Sequence, residues 1–136
     1  MTKNVVKDRR KAPRIATRLA LQVERVVRPT TERPLTTESC NLSSGGVSAF
    51  VRSELDPLTK VGLTLLLPSF GRQGKKTSVV TCGGVVVRCD KSGRIEGEYK
   101  LACALTDVQK SDKALIEEYI SWRLSQDLVD ERLSQP

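Results

Sequence analysis

The stretch that decides the fold is Cys40–Val51, which reads CNLSSGGVSAFV. Its middle, Ser43–Gly46, is a turn signal, because Ser side chains bond to nearby backbone and Gly accepts positive φ angles. After the turn, Val47, Ala49 and Val51 occupy every second position, as the apolar side chains of a half-buried strand do. A short strand leads into the turn at residues 40–42, so the stretch predicts a β-hairpin.

Similar alternating or β-branched segments lie on both sides of this hairpin, separated by Pro, Gly and Asp turn signals. The predicted strands cover residues 18–27, a short segment ending at residue 42, and residues 47–51, 61–67, 77–89 and 99–105. The pair Gly83-Gly84 predicts a bulge or a sharp bend within the long strand, and Asp90–Gly93 predicts a hairpin turn. Short, regularly spaced strands favour an antiparallel sheet closed into a small barrel.

The period of the apolar residues changes near the end of the chain. Leu115, Ile116, Tyr119 and Ile120 follow one another at the three-to-four spacing of a helix. This predicts a helix over about 112–132, capped by Ser111 and with the Asp112 charge in its first turn. The second half has fewer apolar positions, so we expect it to be exposed or to meet another chain. The expected fold is all-β with one C-terminal helix, a six-stranded antiparallel barrel.

Charge is concentrated at the N-terminus of this 136-residue, single-domain chain. Residues 1–18 carry a net charge of +6 out of the total of +7. Residues 1–15 are polar and basic and predict a flexible arm, which suggests an anionic partner: nucleic acid, a nucleotide or a membrane surface. A solvated tail that only aids solubility is the alternative. The sequence has no export signal and no apolar run of transmembrane length, so a cytoplasmic location is expected.

Catalysis and metal binding are both disfavoured by the residues available. The chain has no histidine to act as a general base. Cys40, Cys82, Cys89 and Cys103 show no C-x-x-C spacing and lie in apolar, strand-like settings, which predicts small buried side chains and not a zinc site. No paired carboxylates and no phosphate-binding P-loop motif occur. We therefore expect no enzyme activity, no metal and no cofactor.

Two polar motifs point to ligand binding instead. Arg10 and Arg14 form R-x-x-x-R just before the first predicted strand, and an arginine fork can grip a phosphate or the O6/N7 edge of guanine. Asn41 and Ser43 stand at i and i+2, hence on one face of an extended segment, and their groups can read a base edge. The glycines after them allow backbone amides to approach a ligand.

The order of these motifs resembles the PilZ domain signature. R-x-x-x-R is followed about 27 residues later by [DN]-x-S-x-x-G, and Asn41 is an accepted alternative to Asp. Gly84–Arg88 looks like the middle barrel strand of the family, and Leu101–Asp107 with Ile116–Ile120 looks like its final strand and helix. The expected organisation is a flexible basic arm at 1–8, a PilZ domain at 9–122, and a helical extension and tail at 123–136.

The resemblance implies a six-stranded barrel that binds cyclic di-GMP. It assigns ligand contacts to Arg10, Arg14, Asn41 and Ser43, and turn shaping to Gly45 and Gly46. The residue before the first motif is Arg9, an extra cation that favours a stacked pair of ligands. The resemblance further implies an arm that becomes ordered on binding and regulates a separate effector protein in motility, exopolysaccharide synthesis or surface attachment. It predicts neither a nucleic-acid partner nor membrane insertion.

Three alternatives remain open from the residues alone. Small barrels with basic arms also bind nucleic acid, although single-strand binders usually present aromatic stacking platforms and this chain has only five aromatic residues. A PilZ-like adaptor without nucleotide binding is the second alternative. Attachment of the arm to a membrane surface is the third, and only Val5 and Val6 are available there as apolar anchors.

Overall fold

The protein is described from a computed structural model, which places residues 13–26, 33–71 and 76–133, with side chains up to residue 129. In these ranges the chain forms seven strand segments followed by a helix, and every strand pairing is antiparallel. The elements are β1 Arg14–Ala16, β2 Ala20–Arg25, β3 Leu35–Ser43, β4 Gly46–Val51, β5 Lys60–Leu67, β6 Ser78–Lys91, β7 Tyr99–Asp107 and α1 Lys110–Leu133.

Six strand positions close into a barrel. Hydrogen-bonded neighbours follow the order β3-β2-β5-β6-β7-β4, and β4 pairs back onto β3. Both β1 and β2 pair with β3, with Ile15 opposite Leu42 and Leu21 opposite Thr37. They are therefore two halves of one interrupted barrel strand. The predicted six-stranded antiparallel barrel with a C-terminal helix is confirmed.

The interruption between β1 and β2 is bridged by Ser39, whose side chain is buried. Its hydroxyl donates to the Thr17 carbonyl at 2.5 Å and accepts from the Leu19 amide at 3.0 Å. Buried backbone groups need partners, and here one side chain supplies them where the ladder is broken. The chain can thus change direction at this point without leaving those two groups unpaired.

The first strand begins earlier than the sequence predicts. Residues 14–16 form β1, although they fall in or next to the expected arm. Ile15, Thr17 and Leu19 are all buried and extend the inward alternation of β2. The pattern is not evident from the sequence because Thr17 is a polar residue. In the structure its side chain is buried, and its hydroxyl lies 3.3 Å from the Tyr119 hydroxyl.

The register between the long strand β6 and β7 shifts at Gly83 and Gly84, where the sequence predicts an irregularity, but the extra residue is Thr106 of β7 and not a residue of β6. A Cβ on Gly84 would lie 2.7 Å from a Leu63 methyl carbon and 2.9 Å from the Ala104 carbonyl oxygen, so a side chain here would force β5 or β7 to shift. A second shift, between Val86 and Arg88, was not predicted. The strand also continues to Lys91, so the connection to β7 lies later than the predicted turn.

The helix packs on β1 and β3 through Ile116, Tyr119 and Ile120, each at most 2% exposed. The Phe70 ring meets the Tyr119 ring edge-on, with 5.3 Å between their centroids. Leu128, further along α1, is 60% exposed. The helix therefore seals the barrel core with its first half and exposes its second half, as predicted.

The start of the helix differs slightly from the prediction. α1 begins at Lys110, so Ser111 lies inside the first turn and does not precede it as a cap. Asp112 does lie in the first turn, where its charge favours the helix dipole. Within the described ranges, α1 lacks the stretch of apolar sequence that crossing a membrane requires.

Candidate functional site

The β3–β4 hairpin turns through Ser44 and Gly45, between the paired residues Ser43 and Gly46. The Gly45 amide donates to Ser43 Oγ at 3.2 Å. The Gly45 carbonyl accepts from the Leu105 amide of β7 at 3.0 Å. These two bonds fix the turn against the barrel wall, so the side chains that flank it have defined positions.

Gly46 is required for space, which corrects the expectation that the turn glycines supply positive φ angles. The glycines with positive φ among the described residues are Gly71, Gly93 and Gly97. A Cβ on Gly46 would lie 2.9 Å from the Cys103 carbonyl oxygen, a distance that real Cβ atoms do not adopt. Because β4 and β7 approach so closely, a side chain at this position would force one of the two strands to shift.

An extra residue in β3 turns the polar side chains of the second motif outwards. The register with β4 shifts between Ser39 and Asn41, so Cys40 is the added residue. Ser39 and Leu42 are both buried, a spacing that a regular strand cannot give. Asn41 and Ser43 consequently point away from the core, on one face as predicted.

Arg14 joins these two side chains on the outer face. It pairs directly with Ser43, and Ala16 pairs with Asn41. Residues opposite each other in antiparallel strands have Cβ atoms about 4.5–5.5 Å apart, so Arg14 and Ser43 project side by side. Asn41 Nδ2 donates to Ser48 Oγ at 3.3 Å, which orients the amide.

These side chains surround an open cavity of about 350 Å³, within the range of roughly 300–1,000 Å³ typical of small-molecule sites. Its polar lining includes Arg14, Asn41, Ser43 and Ser48, and its apolar lining includes Val87, Ala102 and Ala104. Donors and acceptors beside small apolar side chains suit a planar, polar ring such as a purine base.

The structure brings together five of the seven residues singled out in the sequence. Around this cavity lie Arg14, Asn41, Ser43, Gly45 and Gly46. Arg9 and Arg10 fall outside the described residues. Arg14, the residue of the first motif that the structure describes, therefore lies beside the residues of the second motif.

Sequence reasoning missed Ser48 and Val87, which also line the cavity. Ser48 could have been found, because it stands two residues after Gly46 on the same face of β4. Val87 is harder to find: it follows the buried Val86 on the outer face and is the extra residue in the register shift between Val86 and Arg88. The run of valines in the sequence gives no sign of where this shift occurs.

Three of the four thiols are held in the protonated form by their surroundings. Burial is the main cause that raises the pKa of Cys40 and Cys82, and it raises the pKa of Cys103 to about 11. Nucleophilic attack and metal binding both require the thiolate. Among the described residues, which include all four cysteines, no three metal-binding side chains are grouped to hold an ion.

A second cavity, of about 720 Å³, lies further along the outer face of β3 and β4. Two of its cations are already paired, Arg18 with Glu38 at 3.1 Å and Arg94 with Glu98 through two bonds of 3.0 Å. Arg94 also lies 3.7 Å above the Phe50 ring, and its hydrogen bonds lower the pKa of Glu98. These internal pairings make the larger cavity the weaker candidate for an anionic ligand.

The family model of the PilZ domain matches residues 8–122 of this sequence. The chain belongs to the PilZ domain family. The resemblance drawn from the two motifs is thereby confirmed, and the match includes all seven strands of the PilZ barrel and the first half of α1. No curated protein sequence matches this chain significantly.

Solved structures share the PilZ fold with this chain. The inhibitor of motility (MotI/DgrA) of Bacillus subtilis has a TM-score of 0.75 and 19% identity, over 88% of this chain and 53% of that chain. The PilZ domain of YcgR from Escherichia coli, solved with c-di-GMP, has a TM-score of 0.63 and 16% identity, over 90% and 98%. The MrkH–c-di-GMP complex of K. pneumonia has a TM-score of 0.57 and 17% identity, over 96% and 56%.

The chain thus spans about half the length of MotI/DgrA and of MrkH, and nearly the whole of the YcgR domain. At these identities the likeness concerns the fold of the barrel. The activities of the larger proteins do not follow from it.

Proposed function

We propose that this PilZ domain is a receptor for cyclic di-GMP, that it binds the nucleotide in the 350 Å³ cavity, and that it is not an enzyme. The observation that carries the proposal is the pairing of Arg14 with Ser43, beside Asn41, on the outer wall of the barrel. The structures of YcgR and MrkH with c-di-GMP, which have the same fold, support the choice of ligand.

The chemistry of the side chains matches that ligand, which has two phosphates and two guanine bases. In the proposed complex, Arg14 grips a phosphate or the O6/N7 edge of a guanine with its planar fork. Asn41 and Ser43 supply a donor and acceptors to a guanine edge. Arg10 adds a second fork from the preceding residues, and Arg9 adds a cation that favours a stacked pair of ligands.

The glycines and the apolar lining complete the proposed site. Gly46 carries no side chain, so β4 and β7 approach closely and the outer surface beside Ser43 stays open to a base. Val87 is 52% exposed and lies against the cavity together with Ala102. A guanine face resting on these small side chains leaves the hydrogen-bonding edges free for the polar residues.

Docking of the arm is the regulatory step in this proposal. Arg9, Arg10 and Arg14 repel one another until the phosphates of the ligand compensate their charge. The ligand therefore favours the docked arm to the extent that it binds this state more tightly than the undocked state. The docked arm then offers a new surface to a separate effector protein. Motility, exopolysaccharide synthesis and surface attachment are the processes we propose as outputs.

The arrangement of the aromatic residues disfavours the rival function of nucleic-acid binding. Phe70, Tyr119 and Trp122 pack against one another, with 5.3–6.2 Å between ring centroids. Phe50 is covered by the Arg94 guanidinium. Single-strand binders stack bases on exposed rings, and none of these four rings is presented as such a platform.

Isothermal titration with cyclic di-GMP tests the proposal, with GTP and a short single-stranded oligonucleotide as controls. We expect saturable binding of cyclic di-GMP alone, at one or two molecules per chain. Arg14→Ala should bind at least tenfold more weakly, because losing one partner of a buried charge contact costs about 2–5 kcal/mol. Arg18→Ala is the matched control, since Arg18 is 83% exposed and paired with Glu38.

Two results would overturn the receptor assignment. Salt-dependent binding of the oligonucleotide without competition by cyclic di-GMP would favour the nucleic-acid module. Absence of binding to any of the three ligands would leave a PilZ-shaped adaptor. Unchanged affinity in Arg14→Ala, with binding intact, would instead reject this cavity as the site.

A further inference from the structure

Arg123 of α1 reaches the end of β1 with both arms of its fork. Its Nη1 donates to Thr17 Oγ1 at 2.9 Å and to the Tyr119 hydroxyl at 3.2 Å, and its Nη2 donates to the Ala16 carbonyl at 3.4 Å. Thr17 and Tyr119 are at most 5% exposed, and their hydroxyl oxygens are 3.3 Å apart. We call Thr17, Tyr119 and Arg123 the α1–β1 clasp.

The strand β1 depends on such a contact because it is short. Its three residues pair with β3. Thr17 turns its amide and its carbonyl towards β3, where they meet the Cys40 carbonyl and the Ser39 hydroxyl. Neighbouring residues of a strand direct their backbone groups to opposite edges, so the Ala16 carbonyl faces away from β3. Arg123 supplies a donor at that edge.

The clasp is adjacent to the proposed ligand site along the same strand. Ala16 pairs with Asn41, and Arg14 pairs with Ser43. A strand rises about 3.3 Å per residue, which puts the Arg14 backbone roughly 7 Å from the carbonyl that Arg123 holds. A tilt or slip of β1 therefore moves Arg14 relative to Asn41 and Ser43, the residues with which it would share a ligand.

We propose that Arg123 is a positioning residue for ligand binding: the clasp holds β1 so that Arg14 meets the nucleotide, and nucleotide binding in return stabilises α1 around Arg123. This inference rests on the proposed function. The reciprocal effect follows from linkage, because two sites that are coupled in binding affect each other by the same free energy. In this proposal, ligand binding at the nucleotide site is thermodynamically coupled to the stability of the exposed second half of α1, which includes Leu128.

The test combines affinity with hydrogen exchange on the full chain. Arg123→Gln removes the charge and the forked geometry, Arg123→Lys keeps the charge, and Lys113→Gln removes an exposed cation elsewhere on α1 as the control. We expect the dissociation constant for cyclic di-GMP to rise about 5- to 20-fold in Arg123→Gln, within the range of known couplings. We expect a smaller rise in Arg123→Lys and less than a twofold change in Lys113→Gln.

Thr17→Val separates positioning from general stability, because it removes the acceptor and keeps the side-chain shape. Combined with Arg123→Gln, it should weaken binding no further than Arg123→Gln alone, since both changes break the same contact. In the wild type, ligand should slow amide exchange over residues 14–17 and 121–129. In Arg123→Gln that protection should persist at the first segment and be lost at the second.

The outcomes distinguish the two proposals. If the wild type binds cyclic di-GMP, either of two results would overturn the coupling and leave the receptor function intact. One is unchanged affinity in Arg123→Gln, and the other is the absence of ligand-dependent protection of α1. Additive losses in the double variant would also overturn the coupling. Absence of cyclic di-GMP binding by the wild type would overturn the receptor function itself, and the coupling with it.

Discussion

Gly46 and Cys103 approach so closely across β4 and β7 that a Cβ on the glycine would stand 2.9 Å from the cysteine carbonyl oxygen. Gly46→Ala should therefore push the hairpin away from β7 and lower the free energy of unfolding by about 1–3 kcal/mol. Gly45→Ala is the matched control, because the nearest atom to its Cβ is 4.0 Å away. Urea unfolding measures both, and equal stability of the two variants would refute the steric argument.

Ser39→Ala should be costly for its size. The change leaves the Thr17 carbonyl and the Leu19 amide without their partner at the break between β1 and β2. An unsatisfied buried group costs about 1–3 kcal/mol, and urea unfolding should show a loss in this range. Ser121→Ala makes the same chemical change at an exposed helical position, where alanine is favourable, and should not lower stability.

Alkaline pH should destabilise the fold through Cys103. Burial raises its pKa to about 11, above that of the thiol in the unfolded chain, about 8.5. The folded state keeps the proton that the unfolded state loses, so stability is unaffected below about pH 8.5 and falls as the pH rises towards 11, by at most about 3 kcal/mol. Unfolding curves of Cys103→Ala should depend less steeply on pH in this window. Parallel curves would contradict the prediction.

Val87→Asp should weaken cyclic di-GMP binding and leave the fold intact. The side chain is 52% exposed and lines the cavity, so the carboxylate has room but adds a negative charge to the site proposed for a ligand that carries two phosphates. Like charges near a protein surface repel by up to about 4 kcal/mol at 4 Å, which predicts at least a tenfold loss of affinity by titration. Val79→Asp places the same charge at an exposed position elsewhere on β6 and should bind like the wild type.

The architecture was largely predictable because it depends on periodicity. Alternation in residues 47–51 and 61–67, and the helical spacing from Leu115 to Ile120, each reflect which side chains are buried, and the structure buries them accordingly. The start of the first strand was not predictable. Thr17 is buried there because Arg123 and Tyr119 lie next to its hydroxyl, and these partners are over a hundred residues away in the sequence.

The candidate site divides in the same way. That Asn41 and Ser43 share a face follows from their spacing alone. Which face they share depends on the bulge at Cys40, which no local signal in the sequence marks. The role of Gly46 was predicted wrongly as conformational, because the restriction comes from the neighbouring strand β7 and not from the turn. Long-range contacts of this kind are outside the reach of pattern reasoning.

Closure of the barrel also limits how the protein can be recognised. The six strand positions close into a ring, but among the described strands β1 pairs with β3 alone, and on the other edge of β1 Arg123 binds the Ala16 carbonyl. In the part of the chain that the structure describes, β1 therefore offers at most a three-residue edge to a partner peptide that would join the sheet as an extra strand, a common mode of protein recognition. Recognition of the proposed effector should therefore depend mainly on side chains, so substitutions that weaken its binding while preserving the fold should be common in a genetic screen.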